Sequence, residues 1–454
     1  METVINKNFT ILEMSKRIFS LALPMAGSQL INVASGFLCM TMLAQLGPEV
    51  LAASGLIFST ELSIVVTGIS ILFSLSVLIG HAYGEKNYSA IGVFVQQGWT
   101  LGLLISIPIM TIFLYIKPIL ICFGQSKEIA EIVQLYFNAF VWCVIPELLV
   151  VCNQQFGYGI QKKALMVCAS VFSVMVLLST AYVLIFGMLG FPKLGVAGLG
   201  YARAAQNSFY FLFTTSFFYF SKGFKPYELF KYRAHNHLEQ FAHLLRVGWP
   251  ICIQMGGEML SFFVIGIMIG WLGASSLAAF QVVNQYCFLV IISIFSLSQA
   301  VGILVGQASG AKQFNEVKKL GYVSMAWVLL VTSLIALIFV GAPKSLASLY
   351  LDVNEPMNLE TVHFIVLIFI VMAISQIFDG LRHVLIGVLR GLFDTRIPMY
   401  LGLITIWIIG VPLSYLLAFI LHLGVVGIAL GGTMAMILGV LLLLYRWHNL
   451  SGKY

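Results

Sequence analysis

FIVLIFIVMAISQIFDGLRHVLIGVL (364–389) decides what kind of molecule this chain is. Its apolar character outlasts the ~20 residues that a helix rising 1.5 Å per residue needs to cross a hydrocarbon layer roughly 30 Å thick. One acid, Asp379, stands near its middle. A charge at the bilayer centre costs about 2.5–3.5 kcal/mol on insertion scales, so a carboxylate kept there points to ions or protons. A second stretch repeats the pattern: LLRVGWPICIQMGGEMLSFFVIGIMIG (244–270) holds Glu258 at its centre.

The rest of the chain is of the same material. Of 454 residues, 60% are hydrophobic and only 9% charged, and the mean hydropathy is +1.00. A soluble domain carries about a quarter charged residues, so the class is an all-α membrane protein embedded in a lipid bilayer. Twelve apolar runs can be placed, from 20–44 through 424–446. The net charge of +7 does not read as a nucleic-acid surface, because the basic residues form no patch interleaved with aromatics. Most of the 24 lysines and arginines fall in alternate loops, among them Lys162, Lys163, Lys222 and Lys225. By the positive-inside rule both termini are then cytoplasmic. The first run is too long for a signal-peptide core and is read as retained. Seven cysteines form no C-x-x-C and no disulfide framework, and those within the spans read as small buried hydrophobes.

Comparing the chain with itself halves it. MLAQLGPEVLAASGL (42–56) matches MIGWLGASSLAAFQV (268–282), pairing Leu46 with Leu272, Gly47 with Gly273 and Leu51 with Leu277. At the same spacing SVLIGHAYGEKNY (76–88) matches GILVGQASGAKQF (302–314), which pairs Gly80 with Gly306 and Lys86 with Lys312. Further on, GVAGLG (195–200) matches GVVGIA (424–429). Six helices precede the second copy, and an even number makes the halves parallel repeats about an axis along the membrane normal. The expected organisation is an N-terminal lobe (1–220), a charged cytoplasmic linker (221–243) and a C-terminal lobe (244–454). Two six-helix bundles around a central cleft suit alternating access, with ligand sites near the midplane.

The candidate site is in the second half. Gln254 and Ser261 flank Glu258 at i−4 and i+3, Gln376 precedes Asp379 at i−3, and Gln281 and Gln285 share a face of the next helix. Together these form a candidate polar pocket in which two carboxylates at low dielectric exchange a proton for Na⁺ or for a cationic substrate. If the ion is Na⁺, Glu258 and Asp379 are its ligands. The competing reading is a structural ion pair, for Arg382 and His383 stand at i+3 and i+4 from Asp379. Glu147, in CVIPELLVVC, is a candidate first-half counterpart of Asp379. Glu61 is a candidate for substrate attraction, Asn32 is a weaker polar candidate, and Arg203 reads as snorkelling or bonding a carbonyl.

No H-E-x-x-H, G-x-S-x-G or phosphate-binding P-loop is present, so the chain reads as neither an enzyme nor the holder of a cofactor. Uphill movement must draw on an ion gradient.

Four segments carry a family resemblance: LALPMAGSQL (21–30), WPICIQMGGEML (249–260), AAFQVVNQ (278–285) and QIFDGLRHVLIGVLRGLFDTRIP (376–398). The last is the most specific, with Asp379, Gly380, Gly387, Leu389, Arg390, Gly391, Asp394 and Thr395 at the characteristic positions. Over nearly its whole length the chain resembles the multidrug and toxic compound extrusion (MATE) family, within the multidrug/oligosaccharidyl-lipid/polysaccharide exporter superfamily. The resemblance implies a twelve-helix antiporter that expels organic cations or other amphipathic drugs in exchange for H⁺ or Na⁺. In NorM-like members a seventh-helix Glu and a tenth-helix Asp form the cation site, and these fall on Glu258 and Asp379. The chain departs from the pattern at Cys39, where many members carry a first-helix aspartate. It departs again at Leu177 and Ala181, where the fifth helix usually supplies Asn and Asp, so the first-lobe cation site is expected to be missing. Arg382 stands where Gln is common. The expected partners are thus small cationic or amphipathic substrates, H⁺ or Na⁺, and the lipid of a bacterial inner membrane, with no nucleic acid. Each chain carries its own cleft, so a monomer is expected. The alternative is a flippase for a lipid-linked or otherwise amphipathic substrate.

Overall fold

The computed structural model describes residues 10–231 and 237–452, and within them every regular element is helical. The stretch 232–236 of the expected linker and the extreme termini lie outside the described residues.

Twelve long helices follow in order. The first six are α1 (Ile11–Ala44), α2 (Pro48–Gly84), α3 (Tyr88–Leu114), α4 (Lys127–Gly159), α5 (Lys163–Phe186) and α6 (Val196–Phe220). Then come α7 (His237–Gly270), α8 (Ala274–Gly310), α9 (Phe314–Gly341), α10 (Leu359–Gly391), α11 (Arg396–Ile420) and α12 (Gly424–Ser451). Among the described residues, eleven are long and apolar enough to cross a membrane. The exception is α6, long enough at 25 residues but made more polar by Arg203, Gln206, Asn207, Thr214 and Thr215.

Local sequence sets the helix ends. Asn87 Oδ1 accepts from Ala90 N–H at 3.2 Å to start α3, and Ser126 Oγ accepts from Ile129 N–H at 3.3 Å to start α4. Pro24, Pro108, Pro146 and Pro250 lie inside helices, where each removes one backbone donor. In α11 the turns Ile404–Gly410 and Leu416–Ile420 widen to π geometry around Pro412, whose missing N–H leaves the Ile408 carbonyl without its helical partner.

The duplication is written into the backbone. Lys86 and Lys312 adopt φ of 61° and 59°, and Gln161 and Phe393 adopt 61° and 62°. Non-glycine residues seldom enter this left-handed region, so its recurrence at matching turns marks equivalent loops. Gly47 and Gly273 likewise both have positive φ, at 127° and 101°.

The chain packs as two compact units: Pro24–Cys252, and Ile253 onward together with the chain up to Leu23. These boundaries fall inside α1 and α7, beside Pro24 and Pro250, whereas the sequence pattern places the division in the 221–243 segment. Side-chain contacts explain the assignment of the start of α1. Ser15 Oγ accepts from Trp327 Nε1 at 2.7 Å, the Phe19 and Trp327 rings meet edge-on at 4.8 Å, and Arg17 lies 3.8 Å from Glu316. In the other unit the middle of α2 receives α7, where Cys252 Sγ donates to the Thr67 carbonyl at 3.2 Å.

Cys39, Cys143, Cys152 and Cys287 are buried as anticipated. Cys168 is exposed despite its apolar span, and all seven cysteines are free.

Candidate functional site

The second unit concentrates its buried charge where α7 and α10 meet. Glycine makes α8 and α10 approach closely. A Cβ on Gly387 would press the Ser298 carbonyl, one on Gly391 would stand 2.8 Å from the Gly302 carbonyl, and Ser298 Oγ donates to the His383 carbonyl. On the other side, Trp407 Nε1 of α11 donates to the Gly257 carbonyl at 3.3 Å, fixing α7 one residue before Glu258.

Between these supports Arg382 bridges both carboxylates. Its Nη1 donates to Glu258 Oε1 at 2.6 Å, while Nε and Nη2 donate to Asp379 Oδ1 at 3.0 and 2.9 Å. Gln254 Nε2 adds a bond to Glu258 Oε1 at 3.2 Å. Arg382 Nη2 also lies 3.1 Å from His383 Nε2. The same ring nitrogen lies 3.6 Å from Asp379 Oδ1. All four groups are buried, with side-chain exposures of 5–8%. Two carboxylates and one guanidinium leave a net charge of −1. Glu258 Oε2 and Asp379 Oδ2 carry no hydrogen bond among the described residues, so each carboxylate keeps one oxygen free to take a proton.

Of the pocket residues anticipated from sequence, Gln254 joins the cluster. Gln376 is buried at 3% exposure but leaves its side-chain oxygen unpartnered. Gln281 and Gln285 are exposed on α8 and make no hydrogen bond to the cluster, so the polar pocket is smaller than expected. The Arg382–Asp379 pair posed as the competing reading is present, and it extends to Glu258. That extension was not readable from sequence, because nothing local relates positions 124 residues apart.

A second set of charges lies in the unit Pro24–Cys252. Tyr136 OH donates to Glu61 Oε2 at 2.6 Å, and Asn207 Nδ2 donates to Cys143 Sγ at 3.1 Å. Cys143 Sγ in turn lies 3.9 Å from Glu147 Oε2. Arg203 is within electrostatic range of Glu61, Tyr136, Cys39 and Glu147. Its Nε is buried without a partner. Asn32 is half-buried and its side chain makes no hydrogen bond among the described residues. Tyr136, Cys143 and Asn207 escaped the sequence reading. The signal was spacing: Tyr136 and Cys143 share a face of α4 with Glu147, and Asn207 lies at i+4 from Arg203.

Long apolar helices in two repeated halves, each holding charged groups that a bilayer would otherwise reject, define an integral membrane transporter rather than an enzyme. The MatE family model matches residues 24–183 and 250–416, and its two blocks begin at the equivalent prolines Pro24 and Pro250. The chain belongs to this family. It is 30% identical over 451 residues to the "Probable multidrug resistance protein NorM" of Synechocystis sp., covering 98% of this chain and 97% of that one. It is also 30% identical over 431 residues to the "Multidrug resistance protein NorM" of Burkholderia vietnamiensis, covering 94% and 92%. Among solved structures, the eukaryotic MATE transporter AtDTX14 superposes with a TM-score of 0.86 at 21% identity over 98% of both chains. The Vibrio cholerae MATE transporter VcmN in its bent form gives 0.83 at 16% identity, again over 98% of both chains. At such identities the likeness speaks for the fold alone.

Proposed function

We propose that this chain exports amphipathic organic cations by alternating access, in exchange for protons taken up at the Glu258–Arg382–Asp379 cluster. The observation that carries the reading is the bridging guanidinium, bound through one oxygen of each carboxylate. A cluster of net charge −1 has room for one proton. Protonating either carboxylate weakens its hold on Arg382 and leaves the guanidinium to the other, so α7 and α10 gain or lose a direct link. A link that differs between two protonation states biases any conformational equilibrium in which those helices move. Na⁺ is the less suited ion, because a sodium bound by Glu258 and Asp379 would have to displace the guanidinium that now lies between them. The names of the relatives, multidrug resistance proteins, support drugs as cargo.

The test is ethidium efflux from proteoliposomes under an imposed pH gradient or, separately, a Na⁺ gradient. A pH gradient should drive wild-type efflux and fail to drive Glu258→Gln. Wild-type transport by Glu258→Gln or Asp379→Asn would remove the cluster from the coupling, and efflux on Na⁺ alone would reassign the ion. Wild-type failure under both gradients would favour the flippase reading.

A further inference from the structure

The two halves use the same helix position differently. α4 ends at Gly159, capped by Ile160 with Gln161 left-handed, and α10 ends at Gly391, capped by Leu392 with Phe393 left-handed. Counting back equally from these matched turns, Glu147 on α4 falls opposite Asp379 on α10. Asp379 has Arg382 one turn on, and the equivalent residue after Glu147 is Val150. The first-half carboxylate therefore has no clamp on its own helix, and its one bonding neighbour is the weakly polar Cys143 thiol.

The rest of the cluster does not neutralise it. Glu61 is taken up by Tyr136 at 2.6 Å, and Arg203 supplies a single positive charge against two carboxylates. One negative charge is left over in a half-buried setting within a membrane span, where an uncompensated charge is costly. On α6, Gln206, one turn on from Arg203 and 4% exposed, keeps its side-chain oxygen unpartnered, as Arg203 keeps its Nε. An acid with no counter-ion on its own helix suits a cation. Unlike the buried Glu258 and Asp379, Glu147 and Glu61 are half-buried and remain open to a ligand.

We infer that Glu147 is the anchor for the positively charged group of a monocationic amphipathic substrate, in a site completed by Glu61, Tyr136 and Arg203 in the Pro24–Cys252 unit. Tyr136 holds Glu61, so Glu147 is the acid left to face the ligand. This site draws on α2, α4 and α6 and assigns no ion coupling to them. It rests on the exporter reading for its class of ligand, but not on Glu258 or Asp379 being the coupling groups.

The test is equilibrium binding of ethidium to the purified full-length chain in nanodiscs, by fluorescence anisotropy. Glu147→Gln should weaken binding about tenfold or more, which at equilibrium corresponds to about 1.4 kcal/mol. Glu147→Asp, which keeps the charge, should recover most of the affinity. Wild-type efflux that ignores a pH gradient, together with an affinity that still falls in Glu147→Gln, would sink the coupling reading and leave this site standing, so the two failures are separately visible. A second measurement needs no variant: ethidium should protect Glu147 of the wild-type chain from carbodiimide labelling, read by peptide mass spectrometry. Wild-type affinity in Glu147→Gln, or labelling of Glu147 unchanged by saturating ethidium, would overturn the assignment. So would wild-type affinity that has merely lost its pH dependence, which would make Glu147 a proton site instead.

Discussion

Replacing Arg382 by Met tests the second-half cluster through its energetics. The guanidinium makes three charge-assisted bonds to two carboxylates in a site 5–8% exposed, and methionine fills similar volume without charge. Removing one partner of a buried ion pair costs about 3–5 kcal/mol, because the remaining charge stays uncompensated. Here two carboxylates are stranded together at the same time. At roughly 2–4 °C per kcal/mol for a unit of 150–250 residues, the unfolding midpoint should fall by about 10 °C. The assay is thermal unfolding in detergent followed by tryptophan fluorescence. The combination Arg382→Met with Glu258→Gln and Asp379→Asn removes every charge of the cluster, and it should recover most of the loss. A single variant that melts within a degree or two of wild type would show that the guanidinium does not bridge these carboxylates. A triple variant as unstable as the single one would show that the loss came from packing rather than charge.

Two further outcomes follow from the packing that positions the two clusters. Gly387→Val should drive α8 and α10 apart, since even its Cβ meets the Ser298 backbone. The cost should reach at least the 1–3 kcal/mol typical of overpacking, read as a lower melting point and a loss of monodisperse protein, while Gly266→Ala, with open space at the Cβ, should melt like wild type. Asn153→Ala should cost about 1–3 kcal/mol and shift tryptophan emission, because Asn153 accepts from Trp99 Nε1 at 3.0 Å and donates to Thr214 and Thr215 at 2.9 Å; an unchanged melting point would remove this network from the account of stability.

Much of the site was legible as membership and little of it as geometry. Glu258 and Asp379 stand out because a carboxylate within an apolar run of spanning length is rare for a stated energetic reason. Arg382 was visible as a neighbour of Asp379 at i+3, since helical spacing is local information. Its bond to Glu258 was not visible, because it depends on how α7 sits against α10. Gln281 and Gln285 show the opposite error. They share a helical face, as their spacing says, but that face is exposed and makes no bond to the acids. Arg203 has the local signature of a snorkelling group at a helix end, and only the approach of α2 and α4 shows that two carboxylates lie within its range.

By itself the sequence determined that this chain spans a membrane, that it is helical, and that it is made of two copies of one unit. Those properties follow from hydropathy summed along contiguous residues and from repetition at a nearly fixed spacing, and both survive without knowledge of any contact. The tertiary structure decided which charges meet. Equivalent positions on α4 and α10 carry Glu147 and Asp379, yet one is open and the other clamped by Arg382, which reaches across to α7. The compact units that the chain forms divide at Pro24 and beside Pro250. These outcomes depend on side chains brought within about 3 Å by helix packing, and a desolvated charge takes its energy from whatever group packing places beside it.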